Sequence, residues 1–214
     1  MREIIFSDPH RQKHFDLFNR MNHPHYCICA NVDITALLSY LRKEEMMFTP
    51  AIVYLISRVA NELPAFKQRI HGKKVIEHDQ VNPSFSVQTQ VSDVFSFCEV
   101  KYQPSAPLFI EATKLQMKKM EEDPVIEDQD RDDYLFLSSL PWISFTGLTH
   151  AMHYHPCDSV PRITWGKYFE EGDKIKMPLS LQVHHALVDG RHMGQYYMRW
   201  EELAADPENW LSTL

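Results

Sequence analysis

The sequence predicts an α+β fold in which a mixed β-sheet packs against helices. Helical and strand patterns alternate along the 214 residues, no segment repeats at a fixed period, and no Gly-, Ser- or Pro-rich linker divides the chain. A chain of this length can bury a substantial core on its own. We therefore predict one domain over residues 1–214.

In the first half of the chain, helices and strands are marked by apolar periodicity and by helix-starting residues. Thr49 is predicted as the N-cap of the longest early helix and Pro50 as its first helical residue. The glycine of His71-Gly72-Lys73 predicts a turn between two strands. The predicted elements are a short helix over His14–Met21, a strand over Tyr26–Val32, a helix from Asp33-Ile34-Thr35 through Arg42, a helix from Thr49 to about Glu62, the two strands around the turn, and strands over Ser84–Gln90 and Val94–Tyr102.

The second half begins with an amphipathic helix over Ala106–Glu122, which Pro124 helps to end. The acidic segment Glu127–Asp133 is predicted to be a solvated loop, because an EF-hand calcium loop would need a glycine and a terminal glutamate that are absent here. The remaining elements are a run over Leu140–Leu148, a hairpin with its turn at Glu170–Asp173, a returning strand over Lys174–Val183 and a final helix from about Arg191 to Leu203.

The composition excludes several classes of protein. A net charge of −7 and a pI near 5.9 argue against nucleic-acid binding, which normally needs a basic surface. The first residues contain no apolar run typical of a signal peptide, and no segment approaches the roughly 20 apolar residues of a membrane span. Four cysteines in a chain of this size do not resemble a disulfide framework. We expect a cytoplasmic protein with reduced thiols and no membrane partner.

The segment Gln182–Gly190 carries the chemistry of the chain. It places His184 and His185 at the end of a predicted strand, with Asp189 four residues after His185. Histidine titrates near pH 6.5, which makes it a natural general base for removing a proton from a hydroxyl nucleophile. The spacing also fits a plain pair of strand-ending histidines, one buried and one exposed. A contact between Asp189 and His185 is possible, although the spacing does not establish it.

Read as Gln-Val-His-His-Ala-x-x-Asp-Gly, residues 182–190 resemble the signature of the chloramphenicol acetyltransferases. The resemblance covers essentially the whole chain. Other segments occur in the family's order and spacing: Arg11-x-x-His14-Phe15, Asp33-Ile34-Thr35, Phe48-Thr49-Pro50, Val75-Ile76 with Asp79-x-Val81-x-Pro83, Pro141-Trp142-Ile143-Ser144-Phe145, Gly166-Lys167-Tyr168 with Glu171-Gly172-Asp173-Lys174, and Met177-Pro178-Leu179.

The resemblance implies a chloramphenicol-acetyltransferase-like fold and an O-acetyltransferase that uses acetyl-CoA, without a metal, to acetylate chloramphenicol or a related small alcohol. It also implies a homotrimer with each active site at a subunit interface. His185 would be the general base. Asp189 would pair with Arg11 as structural support, and we therefore expect an Asp189–Arg11 ion pair rather than an Asp189–His185 one.

Further site residues follow from the resemblance, together with two departures from the family pattern. Gly147 stands where the family has a serine that stabilises the oxyanion, and losing such a donor typically costs on the order of 10²–10³ in turnover. Phe18 stands where the family has a tyrosine that holds the acceptor. The residues implied in substrate binding are Phe18, Tyr26, Phe145, Gly147 and Thr164, and those implied near coenzyme A are Lys167 and Tyr168.

Gly147 keeps open a second interpretation, in which the chain is a weakened or inactive family member that acts as a ligand-binding trimer. A dihydrolipoamide acyltransferase core shares the His-x-x-x-Asp-Gly pattern, but this chain has neither a lipoyl domain nor a long linker.

A dense group of metal-type ligands, His150, His153, His155 and Cys157, is interpreted as a histidine-rich surface or interface loop. Strand-like alternation would place the last three on one face, but no supporting outer ligand shell can be identified from the sequence. His23 and His25 border the expected acceptor pocket and could touch substrate.

Overall fold

The computed structural model describes residues 1–127 and 131–212, which contain seven helices and ten strands. Residues 128–130 of the predicted acidic loop lie outside the described residues. The helices are α1 (Pro9–Asn19), α2 (Thr35–Lys43), α3 (Phe48–Glu62), α4 (Pro64–Lys67), α5 (Ala106–Glu122), α6 (Gly190–Ala205) and α7 (Glu208–Leu211). The strands are β1 (Arg2–Ile4), β2 (His25–Asp33), β3 (Gln68–His71), β4 (Lys74–Glu77), β5 (Asn82–Val87), β6 (Ser96–Glu99), β7 (Tyr134–Leu140), β8 (Arg162–Gly166), β9 (Phe169–Glu171) and β10 (Lys174–His184).

A large mixed sheet dominates the fold, in the strand order β2-β10-β8-β7-β5-β6, with β9 paired to the beginning of β10. The pairings of β7 with β5 and with β8 are parallel, and the others are antiparallel. A separate antiparallel sheet has the order β1-β4-β3. The predicted α+β class with a mixed sheet packed against helices is confirmed.

Alternation along β10 divides the large sheet into two chemically different faces. Leu179, Leu181 and Val183 are fully buried in the hydrophobic core, which they share with side chains of α3, α5 and α6. Ser180, between two of them, points to the opposite face. The helices therefore cover one side of the sheet, and the other side, which we call the polar face, carries hydroxyl, amide and imidazole groups.

The polar face opens into a cavity of about 1240 Å³. Strand register aligns Ser138 on β7 with Thr164 on β8 and with Ser180 on β10. Segment 141–161 runs beside the cavity on this face. The cavity's lining includes Ser84, Ser86, Phe97, Phe136, Ser138, His150, Met152 and Arg162.

Two helices begin earlier than predicted. Helix α1 begins at Pro9 because the Asp8 side chain caps it, accepting hydrogen bonds from the N–H groups of His10 (2.7 Å) and Arg11 (3.3 Å). Helix α3 begins at Phe48, so Thr49 is not its N-cap. Pro50 still fits in the first turn, where the N–H groups have no intrahelical partner.

Only the first residue of the predicted run over Leu140–Leu148 belongs to a strand, because β7 ends at Leu140 and the chain then enters an irregular segment. Apart from an isolated bridge between Tyr154 and Cys157, residues 141–161 form no strand pairing. Strand alternation therefore does not set the directions of the histidines there. Strands β1 and β7 and helices α4 and α7 were not predicted. In the described residues, no helix combines the length and apolar character needed to cross a bilayer.

Candidate active site

The end of β10 places two adjacent histidines in different environments. His184 is buried on the polar face, where its ring centroid lies 5.1 Å from that of His25. Its Nδ1 accepts a hydrogen bond from the Ala186 N–H (3.3 Å). Burial, followed by repulsion from His25, lowers the pKa of His184 to about 3. His184 is therefore a neutral structural residue.

His185 lies one residue beyond the strand, in a tight turn. The N–H groups of Leu187 and Val188 both donate to the His184 carbonyl at 3.0 Å, and the His185 N–H donates to the Pro24 carbonyl at 2.9 Å. The His185 side chain is 25% exposed. The turn thus projects this imidazole away from the strand while keeping it accessible.

Three rings surround the His185 imidazole. Phe18 stacks on it with centroids 3.9 Å apart and planes 21° apart, Tyr26 lies at 4.3 Å, and His14 meets it edge-on at 5.4 Å. The Nδ1 atom of His185 is buried and has no hydrogen-bond partner among the described residues. Nε2 is therefore the better placed nitrogen for taking a proton from a substrate.

Asp189 stands between two imidazoles. Its Oδ1 lies 3.8 Å from His185 Nδ1 and 3.8 Å from His14 Nε2, both longer than a hydrogen bond. Its backbone N–H donates to His192 Nδ1 at 2.9 Å, at the start of α6. The carboxylate is half-exposed, so it is accessible to solvent as well as to both rings.

The expected Asp189–Arg11 ion pair is wrong as a direct contact. Arg11 instead donates to the carbonyls of Ala186 (2.8 Å) and Leu187 (2.9 Å) and contacts His14 Nδ1 at 2.9 Å. These three contacts direct the guanidinium along the turn rather than toward the carboxylate. Burial lowers the pKa of Arg11, and the Asp189 charge nearby opposes that effect. Arg11 thus ties α1 to the turn that carries His185.

Three of the residues implied in substrate binding, Phe145, Gly147 and Thr164, lie away from His185. Thr164 is fully buried on the polar face, where its hydroxyl is 2.9 Å from His150 Nε2. The Phe145 ring packs so closely over Gly166 that a Cβ there would lie 2.8 Å from it. Gly147 is exposed, and a Cβ built on it would meet nothing within 4 Å.

The predicted site residues therefore form two groups in one chain. Tyr26 pairs with Val183, which faces the helices, whereas Thr164 pairs with Ser180 on the polar face. Across the described ranges, no hydrogen bond, ion pair or ring contact joins His185 to Phe145, Gly147 or Thr164.

The residues implied near coenzyme A lie on the surface after β8. Lys167 and Tyr168 are exposed, and the Lys167 N–H donates to the Ile143 carbonyl at 2.8 Å. The Tyr168 ring lies 5.8 Å from that of Phe48. Trp142 and Ile143 are also largely exposed, so the lysine sits beside an apolar surface.

The histidine-rich segment does not converge on one centre. His150 contacts Thr164, whereas Cys157 Sγ lies 3.4 Å from His25 Nδ1. Within residues 1–127 and 131–212, the group of three potential ligands whose atoms all lie within 4.8 Å of one another is His14, His185 and Asp189.

Sequence reasoning assigned no role to His14 or to the His150–Thr164 contact. The i,i+3 spacing of Arg11 and His14 was a usable signal, because it places both on one side of a helix. No sequence pattern indicated the contact of His150 with Thr164.

Comparison with known proteins agrees with the geometry. The family model described as chloramphenicol acetyltransferase matches residues 2–199. Chloramphenicol acetyltransferase 2 of Escherichia coli is 31% identical over 188 residues, covering 87% of this chain and 88% of that protein. The chloramphenicol acetyltransferase of Clostridium perfringens is 28% identical over 211 residues, covering 97% and 96%.

Solved structures show the same fold at lower identity. A chloramphenicol acetyltransferase matches with a TM-score of 0.83 and 21% identity, covering 95% of this chain and all of that one. The dihydrolipoamide acetyltransferase of Azotobacter vinelandii matches with a TM-score of 0.70 and 22% identity, covering 94% and 88%.

Proposed function

This chain belongs to the chloramphenicol acetyltransferase family of acyltransferases, and from that premise we propose that it transfers the acetyl group of acetyl-CoA to a hydroxyl of chloramphenicol or a related small alcohol. His185 is the general base. The observation that carries the proposal is the ring-framed, partly exposed imidazole at the end of β10, with its Nδ1 buried.

One base, His185, can carry out both proton transfers of the reaction. Nε2 of His185 takes the proton of the acceptor hydroxyl, and the oxygen attacks the thioester carbonyl. The tetrahedral oxyanion collapses and breaks the carbon–sulfur bond. The departing thiolate receives the proton from the imidazolium, so acetyl ester and free coenzyme A leave and the base is restored.

Oxyanion stabilisation is the step in which this chain differs from its family. Gly147 has no side-chain donor, so a backbone N–H, a neighbouring side chain or water must donate a hydrogen bond to the oxyanion. This feature favours the second candidate, a weakened family member that binds the same ligands without efficient turnover.

A homotrimer explains why the predicted residues are divided between two faces. If His185 of one subunit meets the polar face of a neighbour, the base and the acceptor-binding residues Phe145 and Thr164 come together across an interface. Phe18 and Tyr26 accompany the base. Closed symmetry then gives one such site at each interface.

The thioester donor would lie along the surface that carries Lys167 and Tyr168. A lysine there can pair with a coenzyme A phosphate, and the neighbouring apolar surface suits the less polar parts of the cofactor. Because acetyl-CoA is a cytoplasmic metabolite, we place the enzyme in the cytoplasm. A role in antibiotic resistance follows if chloramphenicol is the acceptor in the cell.

Release of free thiol tests the proposed function. Purified protein, acetyl-CoA and a panel of alcohols that includes chloramphenicol would be monitored beside His185→Ala, with His10→Ala as a control at an exposed histidine. The proposal requires thiol release by the wild type and the control and none above background by His185→Ala. Equal release by all three would refute it, and saturable chloramphenicol binding without turnover would support the ligand-binding alternative.

Mixed trimers test the interface site. His185→Ala removes the base, and Ser138→Trp fills the cavity on the polar face. If each site uses two subunits, an equal mixture that is unfolded and refolded together should regain about a quarter of wild-type activity, because that fraction of interfaces pairs two intact halves. No recovery from mixtures that sediment as trimers would place the whole site in one chain.

A further inference from the structure

We propose that His14 is a positioning residue that acts through Asp189 to hold His185 with its proton on Nδ1, leaving Nε2 free to accept a proton. This role rests on the proposed function of His185 as general base. It concerns the neutral tautomer of the base, which decides whether an imidazole at this position can act at all.

The contact with Arg11 fixes the proton of His14. A guanidinium can only donate, so the 2.9 Å contact of Arg11 Nη1 with His14 Nδ1 makes Nδ1 the acceptor. Burial, and then the Arg11 charge, lower the pKa of His14, which keeps it neutral at neutral pH. A neutral His14 that accepts at Nδ1 must carry its proton on Nε2, the nitrogen that faces Asp189.

Asp189 is placed to receive two N–H groups. Its Oδ1 lies 3.8 Å from His14 Nε2 and 3.8 Å from His185 Nδ1. Both nitrogens are buried without a hydrogen-bond partner in the described part of the chain, which is costly unless a donor reaches an acceptor. A movement of the Asp189 carboxylate by about 1 Å toward the two rings would bring its oxygen within hydrogen-bond distance of both nitrogens. Catalytic hydrogen bonds often tighten only when substrate binds.

The position of the proton on His14 then determines the tautomer of His185. With Asp189 held between the rings, His185 is stabilised with its proton on Nδ1. Tyr26 also packs on this imidazole, and burial, assisted by the Asp189 charge, raises the pKa of its phenol and keeps it neutral. The charged groups close to the pair are thus Arg11 and Asp189.

A metal ion is the competing occupant of the same three ligand atoms, since two histidines and a carboxylate form a common metal set. A metal on His14 Nε2 would need the lone pair of that nitrogen. The proton would then have to sit on Nδ1, facing the N–H of Arg11 at 2.9 Å. The Arg11 contact therefore favours hydrogen bonding over metal binding.

Two variants of His14 test the role. His14→Phe keeps an aromatic ring without a donor, and His14→Gln restores an N–H near the position of Nε2. We expect His14→Phe to lower kcat by about 10- to 100-fold with the KM for acetyl-CoA unchanged, and His14→Gln to recover most of the loss. Equal losses in both variants, or a loss confined to KM, would overturn the proposal.

A measurement independent of turnover separates this proposal from the proposed function. In protein labelled with ¹⁵N-histidine, the shifts of the His185 nitrogens report the tautomer, with His185→Ala used for assignment. We expect the Nδ1-protonated form in the wild type and in His14→Gln, and a mixture in His14→Phe. The same tautomer in all three proteins would refute the role of His14 even if the enzyme is active, whereas the expected pattern in a protein without thiol release would refute only the proposed function. Loss of the wild-type pattern on treatment with EDTA would reveal a metal at these atoms and also overturn the proposal.

Discussion

The ring of Phe18 stacks on the imidazole of His185, with centroids 3.9 Å apart and planes inclined by 21°. The stack connects α1 to the end of β10 and fixes the plane in which the base presents Nε2. Phe18 is thus a wall of the site as well as a residue implied in acceptor binding. Removing the Phe18 ring should therefore leave the His185 imidazole in place but let its plane vary.

Replacing Phe18 with leucine should lower kcat by about 2- to 10-fold, the range that corresponds to the 0.5–1.5 kcal/mol of an aromatic contact. Leucine keeps an apolar side chain but removes the flat surface under the imidazole. Steady-state kinetics of thiol release would show the effect. Phe18→Tyr keeps the stacking ring and serves as the control, and a fall of the same size in both variants would contradict the explanation.

Gly147→Ser should raise kcat, provided that the missing hydroxyl limits the rate. A Cβ at this position meets nothing within 4 Å, so the substitution needs no rearrangement. One oxyanion donor is worth about 10²–10³ in turnover, which sets the upper limit of the gain. Gly147→Ala adds the same Cβ without the hydroxyl. If both variants match an active wild type, oxyanion stabilisation comes from another group.

Arg11→Ala should reduce the free energy of unfolding by about 1.5–3 kcal/mol, because it removes a charged donor from the carbonyls of Ala186 and Leu187. Arg11→Lys should restore less than half of this, since one ammonium cannot reproduce the forked contacts of a guanidinium. Urea denaturation at a fixed protein concentration measures both. A lysine variant as stable as the wild type would show that charge alone suffices.

The sequence patterns typical of helices, strands and turns predicted much of the fold and less of the site. Helix α5 was predicted at its observed bounds and β10 to within one residue, because periodicity and the Gly172 turn mark them directly. The start of α1 was missed although Asp8 and Pro9 form a recognisable cap.

The contacts of the site depend on directions that spacing does not encode. Asp189 and Arg11 are adjacent to the same turn, yet the guanidinium meets carbonyl groups and His14 instead of the carboxylate. Likewise, the His150–Thr164 contact is made by an irregular segment, for which no periodicity gives the direction of a side chain.

Three histidines on the polar face make stability depend on pH. Burial, the largest cause in each case, lowers the pKa of His25 and of His150 to about 4 and that of His184 to about 3. In the unfolded chain these groups titrate near 6.5. Above that pH they are neutral in both states and add nothing to the pH dependence of stability. Below it the unfolded chain binds protons that the folded chain does not, so stability falls with pH down to about 4.

The expected slope in that window is about 1.4 kcal/mol per pH unit for each histidine. His184→Asn removes one titrating group and retains a side-chain acceptor for the Ala186 N–H. Urea denaturation at pH 7 and at pH 5 should therefore show a smaller loss of unfolding free energy on acidification for this variant than for the wild type. Equal losses in the two proteins would mean that His184 is already protonated in the folded state, or that its protonation is not linked to unfolding.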